Sequence, residues 1–307
     1  MHDFGTDAQS QGDLTRLDAD DGRPLVTVAS PERIGNKGVG RYGMVASPDG
    51  DRLYVHKWKL VSGRHQGPGG YSAPASDHWW DIYDGSTLAL TGSTPHVPDC
   101  GIAQYFPGRE GSSQFAVACS ERNVLVFIDR DSGNTLSTID PVPVQKAGAG
   151  CIGDTELAAA ADTASGGKIL IATRGGCVLT ANATDMRVET SLSVALPNGW
   201  RVPFGMLALT RMGDRVFVGL GSGSSSDDCH EVGVFNTENG TALGTIDAGE
   251  SINAIGVSID GRLLYAASKA ADNLLVIDIA SGQRIGAVEH LGTHPEHLLV
   301  AAGPSEP

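Results

Sequence analysis

Between residues 252 and 288 the apolar positions come in four short runs, at 254–257, 263–267, 274–277 and 284–288. The breaks between them, Asp260-Gly261, Asp272-Asn273 and Ser281-Gly282, are polar and turn-forming. Runs this short, bounded by Gly, Asp and Asn, predict antiparallel strands joined by hairpins. Four meandering strands make a small sheet with two open edges, which needs copies of itself to bury its faces.

The copies are there. The hairpin pattern of 274–288 returns at 14–28 (LTRLDADDGRPLVTV), 124–139 (VLVFIDRDSGNTLSTI) and 232–246 (VGVFNTENGTALGTI), and more weakly at 79–94 and 177–194. The turn anchors Gly22, Gly85, Gly133, Asp185, Gly240 and Gly282 are 63, 48, 52, 55 and 42 residues apart. The pattern of the first two strands returns at 44–55, 102–118, 157–171 and 206–218. A repeat of about 40–50 residues with four strands predicts an all-β β-propeller built from four-stranded antiparallel blades. The hairpins and first strands interleave to give six blades, with seven as the alternative. The ring is expected to close by N- and C-terminal strands sharing one blade, 14–28 with a first-type strand at 297–302. Residues 1–13 read as a polar, loosely packed arm, 14–303 as one propeller domain and 304–307 as a tail. The closing blade lacks a recognisable second strand, so the natural protein is expected to extend upstream of Met1.

Composition adds limits. With 41 glycines in 307 residues, 40% hydrophobic and 19% charged, the chain fits one all-β domain with a continuous core. A net charge of −14 argues against nucleic acid as a partner, because phosphate backbones repel it. No apolar run approaches the ~20 residues of a membrane-spanning helix, and the first 13 residues carry no export-signal pattern.

Two stretches stand out as long inter-strand loops, 59–77 and 221–230 (GSGSSSDDCH), at equivalent blade positions and therefore on one face. Around them Trp58, His65, His78, Trp200, Arg201, Cys229 and His230 are the candidate lining of a substrate or partner site. His290, His294 and His297 lie close in sequence but match no metal template, and Pro295 bars a helix there. The chain carries no GxSxG, HExxH, P-loop or dinucleotide-binding glycine motif, so no catalytic set and no metal site is assigned.

Four of the five cysteines fall in matched places. Cys100 precedes and Cys119 ends the first hairpin of one blade; Cys151 precedes and Cys177 follows the first hairpin of the next. This spacing predicts the disulfides Cys100–Cys119 and Cys151–Cys177, with four buried thiols as the alternative. Disulfides imply an oxidising compartment. Cys229 is left over beside His230; the pair reads as a reactive thiol or as two metal ligands, but neighbours on an extended chain point to opposite faces and chelate one metal poorly.

Several segments together resemble the heavy subunit of quinoprotein amine dehydrogenases, the methylamine and aromatic amine dehydrogenases. They are Val97-Pro98-Asp99-Cys100 followed by Cys119, Asn198-Gly199-Trp200-Arg201, and the C-terminal third with His290-Leu291-Gly292-Thr293-His294-Pro295. After Arg201 the chain departs from that family, reading Val202-Pro203-Phe204-Gly205, and the family's propeller has seven blades. The resemblance implies a periplasmic propeller with no cofactor of its own. It would hold a small light subunit that carries a tryptophan-derived quinone. That subunit oxidises primary amines to aldehyde and ammonia, and passes electrons to a small copper protein or a haem cytochrome. Two other readings stay open. One is a stand-alone enzyme or binding protein with a small-molecule ligand at the propeller axis under 59–77 and 221–230; the other is an interaction scaffold.

Overall fold

The computed structural model of the chain describes residues 14–17, 24–28, 39–40, 44–47, 50–66, 72–100, 103–106, 113–119, 122, 124–140, 157–162, 168–182, 185, 187–193, 196, 200–203, 206–210, 213–221, 229–268, 271–289, 298 and 300. The arm 1–13, the tail 304–307 and the histidines of 290–297 lie outside them.

The described residues are all-β. β1 (Leu14–Leu17) and β2 (Pro24–Val28) form a two-stranded hairpin. A six-stranded sheet follows: β3 (Val39–Gly40), β4 (Met44–Ala46), β5 (Arg52–Gln66), β6 (Ser72–Asp84), β7 (Leu90–Ser93) and β8 (Val97–Pro98). Four sheets of four antiparallel strands come next. The first holds β9 (Ala103–Phe106), β10 (Gln114–Cys119), β11 (Val124–Asp129) and β12 (Thr135–Ile139). The second holds β13 (Leu157–Asp162), β14 (Lys168–Thr173), β15 (Cys177–Asn182) and β16 (Arg187–Ser193). The third holds β17 (Leu207–Leu209), β18 (Arg215–Gly221), β19 (Cys229–Asn236) and β20 (Ala242–Asp247). The last holds β21 (Ala254–Val257), β22 (Leu263–Ser268), β23 (Asn273–Asp278) and β24 (Gln283–Glu289), which are the four runs read from the sequence.

The sheets stand in a ring. First strands neighbour one another in chain order: β4 beside β9, β9 beside β13, β13 beside β17 and β17 beside β21. The faces between sheets are filled by apolar clusters. Val117, Val126 and Ile128 meet Tyr54 and Trp80. Phe127 and Leu125 meet Ile171 and Leu179. Phe217 and Val234 meet Leu264, Leu275 and Ile277. At the seam, Leu17 of β1 and Leu298 pack on Ala254, Ala267 and Leu274 of the last sheet, while Arg16 Nη1 donates to Ser86 O of the six-stranded sheet at 2.9 Å. The N-terminal hairpin thus bridges the last sheet and the six-stranded one. Leu298 and Val300 are described without strand pairing; a strand over 297–302 otherwise falls outside the described residues.

One local device recurs. In all five larger sheets the pairing of the outer strand slips by one residue just past its turn: at Ile82/Tyr83, Phe127/Ile128, Thr180/Ala181, Val234/Phe235 and Val276/Ile277. The residues left unpaired by three of these slips, Leu136, Leu243 and Ile285, are among the exposed large hydrophobics. A bulge on an outer strand twists it away from edge-to-edge pairing with other chains.

The loop reading of 59–77 is corrected. Residues up to Gln66 continue β5 and residues from Ser72 belong to β6, and the two strands pair from Arg52↔Asp84 to Gln66↔Ser72. A register shift between Leu60 and Arg64 absorbs Ser62-Gly63, so these residues bulge the ladder without ending it. The 221–230 loop is also shorter than read: β18 runs to Gly221 and β19 begins at Cys229, with Gly221↔Cys229 paired.

Antiparallel order places the second-to-third-strand turns and the fourth-to-first-strand connections of every sheet on one side of the ring. The extended end of β5 and β6 also lies on that side.

Candidate functional site

The long hairpin gathers most of the buried polar chemistry. Alternation along a strand sends Tyr54, His56, Trp58 and Leu60 to one face, opposite Ile82, Trp80, His78 and Ser76 of β6. Tyr54 and Trp80 at the inner end of this face join the apolar cluster against the next sheet. Toward the turn the face becomes polar. His56 Nε2 lies 3.1 Å from His78 Nδ1, and His78 Nε2 lies 2.8 Å from Ser76 Oγ. His56, His78 and Ser76 are exposed by only 0%, 1% and 5%. The rings are stacked as well: His56 on Trp80 at 4.8 Å, His56 on His78 at 5.2 Å, and His78 beside Trp58 at 6.5 Å between centroids.

The Val97-Pro98-Asp99-Cys100 segment locks the end of this chain in place. Val97 and Pro98 pair with His78 and Asp77. Asp99 Oδ1 accepts from the Ser76 amide at 3.0 Å, and the Asp99 amide donates to Ser76 O at 2.8 Å. Asp99 sits at φ +52, a left-handed conformation that Asp tolerates better than most residues. Cys100 is bonded to Cys119, which ties the segment to β10.

The opposite face of the hairpin is charged. Lys57, 1% exposed, pairs with Asp81 at 3.5 Å, and Trp79 Nε1 donates to Asp81 Oδ1 at 3.2 Å. His96 Nδ1 lies 2.6 Å from Asp77 Oδ2, its ring stacked on Trp79 at 4.9 Å, and the Lys59 ammonium stands over Trp79.

The sequence-derived candidates divide into two groups. Trp58 and His78 sit together on the hairpin, within strands and not at strand ends as expected. His65 pairs with Ala73 in the same hairpin, its side chain outside the described residues. Trp200, Arg201, Cys229 and His230 gather around the far end of β18. Arg201 bridges to Gly221, which pairs with Cys229. Arg201 and His230 are exposed, and Trp200 is half-buried against Val202 and Leu207.

Cys229 needs correction as a site residue. It is a free cysteine with 0% exposure, in a core with Met206, Phe217 and Ile252. Burial pushes its thiol up to about 12, so the reactive thiolate is disfavoured at neutral pH. It points inward because β19 already starts at this residue. Of the two expected disulfides, Cys100–Cys119 is present; Cys177 is disulfide-bonded, and Cys151 lies outside the described residues. Among the described residues no group of three or more His, Cys, Asp or Glu could hold a metal ion, and no helix is long and apolar enough to cross a membrane.

Sequence reasoning missed Ser76, Asp99, Lys57, Asp81, Trp79 and His96. A period-two signal was available: Tyr54-x-His56-x-Trp58 and Ser76-x-His78-x-Trp80 each put polar and aromatic groups on one strand face. The count of Gly and Pro in 59–77 hid it.

Small antiparallel sheets arranged in a ring make this a β-propeller. Residues 163–302 match the family described as methylamine dehydrogenase heavy chain (MADH). The methylamine dehydrogenase heavy chain of Paracoccus versutus is 31% identical over 107 residues, which take in 33% of this chain and 24% of that protein. Both matches support a heavy-chain-like propeller. The β5–β6 hairpin lies outside the matched residues 163–302.

Proposed function

We propose that this chain is an amine-dehydrogenase-heavy-chain-like subunit, a six-bladed propeller that forms the wall and entrance of an active site completed by a separate light subunit. The quinone that oxidises a primary amine would reside on that light subunit, and electrons would pass on to a small copper or haem protein. The observation that carries this reading is the family match over 163–302. Support for six blades comes from the five larger sheets together with the β1–β2 hairpin, which bridges the last sheet and the six-stranded one. The disulfide Cys100–Cys119 and the bonded Cys177 favour an oxidising compartment, consistent with the periplasm.

The face for the light subunit is the one bearing the β18–β19 turn and the extended hairpin. There Arg201 offers an exposed cation, Trp200 and Trp58 offer half-buried aromatic surface, and His230 is exposed. Arg and Trp are the residue types most often dominant at interfaces. This chain's own contribution is to bind, orient and exclude water.

A second reading, a propeller with its own small-molecule site, is favoured by the buried His56–His78–Ser76 chain. Amine-dependent dye reduction separates the two. The amine-dehydrogenase reading expects no turnover by the purified chain alone and turnover once a methylamine dehydrogenase light subunit is added. Turnover by the chain alone, or failure of the two to form a complex, overturns it.

A further inference from the structure

We propose that Ser76 is an activated nucleophile, with His78 as its general base and His56 as the group that orients that base. This does not depend on the amine-dehydrogenase reading. A serine becomes nucleophilic when a base lies within hydrogen-bond reach of its hydroxyl and a third group fixes the base. Here Ser76 Oγ is 2.8 Å from His78 Nε2, and His78 Nδ1 is 3.1 Å from His56 Nε2. The proposed role sets the protons. For Ser76 to donate to Nε2, His78 must carry its proton on Nδ1 and donate it to His56 Nε2, leaving the His56 proton on Nδ1.

Three further features support the assignment. The histidine rings are held by stacking, His56 against Trp80 and His78 against His56. The backbone of Ser76 is gripped from both sides by Asp99. Ser76, at 5%, is the least buried of the three. All three side chains lie on one strand face, and burial strengthens each polar contact.

The substrate class is an activated acyl donor, an ester or thioester. In the step, the bond from Ser76 Oγ to the acyl carbon forms while its proton moves to His78 Nε2. The bond to the leaving group then breaks, and the leaving group departs with that proton. The Ser76 amide is already engaged by Asp99 Oδ1, so it cannot serve as an oxyanion donor. The Asp99 carboxylate, held on the Ser76 amide, favours acyl donors that carry a positive charge over anionic ones.

The test uses the full folded chain and a fluorophosphonate probe. Oγ attacks phosphorus, the P–F bond breaks, fluoride leaves and the proton goes to His78. The expected result is a single phosphonyl adduct mapped by mass spectrometry to Ser76. Its rate should rise with pH and level off once the imidazole is neutral, and the label should be absent when the chain is unfolded in urea. His78→Gln should slow labelling about 100-fold or more. His56→Asn should change the pH profile of labelling while leaving the thermal transition cooperative. A folded wild-type chain that gives no adduct at Ser76 overturns the proposal whether or not the variants fold. So does equal labelling in His78→Gln, or a label spread over other serines.

Discussion

The last sheet and the six-stranded sheet use one plan with different means. Each has a third-to-fourth-strand turn opened by an aspartate. In the last sheet Asp278 Oδ1 accepts from the amide and hydroxyl of Ser281, both at 2.8 Å, and Gly282 takes the left-handed position at φ +66. In the six-stranded sheet Asp84 Oδ1 accepts from the amides and hydroxyls of both Ser86 and Thr87, and the left-handed position falls to Leu88 at φ +56. Gly85, the expected anchor, instead permits a close backbone approach, since a Cβ there would collide with Gly50 O. The last sheet puts apolar residues on its strand faces and glycine in its turn. The six-stranded sheet holds a bulky residue in a disfavoured conformation and fills its long hairpin with histidine, tryptophan and an ion pair. Repeat regularity marks framework; departure from it marks where other constraints act on the chain.

Truncating the anchor of each sheet should break both, unequally. Trp80→Ala should cost about 3–5 kcal/mol, and Leu275→Ala about 2–5 kcal/mol, in urea unfolding. Only the first should also disorder the His56–His78 pair, visible as loss of distinct imidazole NMR resonances. Removing the Cys100–Cys119 bond with serines at both positions should cost about 3 kcal/mol and speed amide exchange in β6 and β10 more than in β22 and β23.

The two turns then sharpen the contrast. Gly282→Ala meets no neighbour, so its cost is backbone strain alone, about 1 kcal/mol. Leu88→Gly relieves about 1–2 kcal/mol of left-handed strain but loses burial worth about 2 kcal/mol, and should stay within about 1 kcal/mol of wild type by thermal melting.

Acid acts on both turns in the same direction. The hydroxyl and amide donors of Ser86 and Thr87 hold Asp84 below its ordinary value of 3.8, and those of Ser281 do the same for Asp278. A carboxyl depressed in the folded state contributes stability above its unfolded value and loses it as pH falls through the folded one. Stability should therefore decline below about pH 4. The carboxyl NMR shift of Asp84 should titrate at lower pH than that of an Asp without such donors. The smallest effect expected is at Cys229: iodoacetamide should leave it unmodified in the native chain and modify it in urea.

The repeat pattern made the last sheet readable almost to the residue, because hydrophobic alternation and Gly282 point the same way. The hairpin at 52–84 was not readable, because Gly63, Gly67, Pro68, Gly69, Gly70 and Pro74 carry a strong local turn signal. Cross-strand pairing overrode it at Gly63 and Pro74, which lie within β5 and β6, as tertiary context commonly does. Cys229 was misjudged for the opposite reason. Its polar neighbours suggested a loop, but burial is set by the strand that begins there. Trp58, His78 and Arg201 stand out in the sequence by residue type and position; Ser76 and Asp99 do not, since their contacts reach across 23 residues of chain.

The most direct measurement is hydrogen–deuterium exchange of the chain with and without a methylamine dehydrogenase light subunit. The account predicts new protection at residues 57–61, 76–80, 200–203 and 229–231, on the side of the ring that carries the extended hairpin. It predicts no change in the third-to-fourth-strand turns at 84–89 and 278–282. Protection confined to those turns, or none anywhere at saturating light subunit, would contradict it.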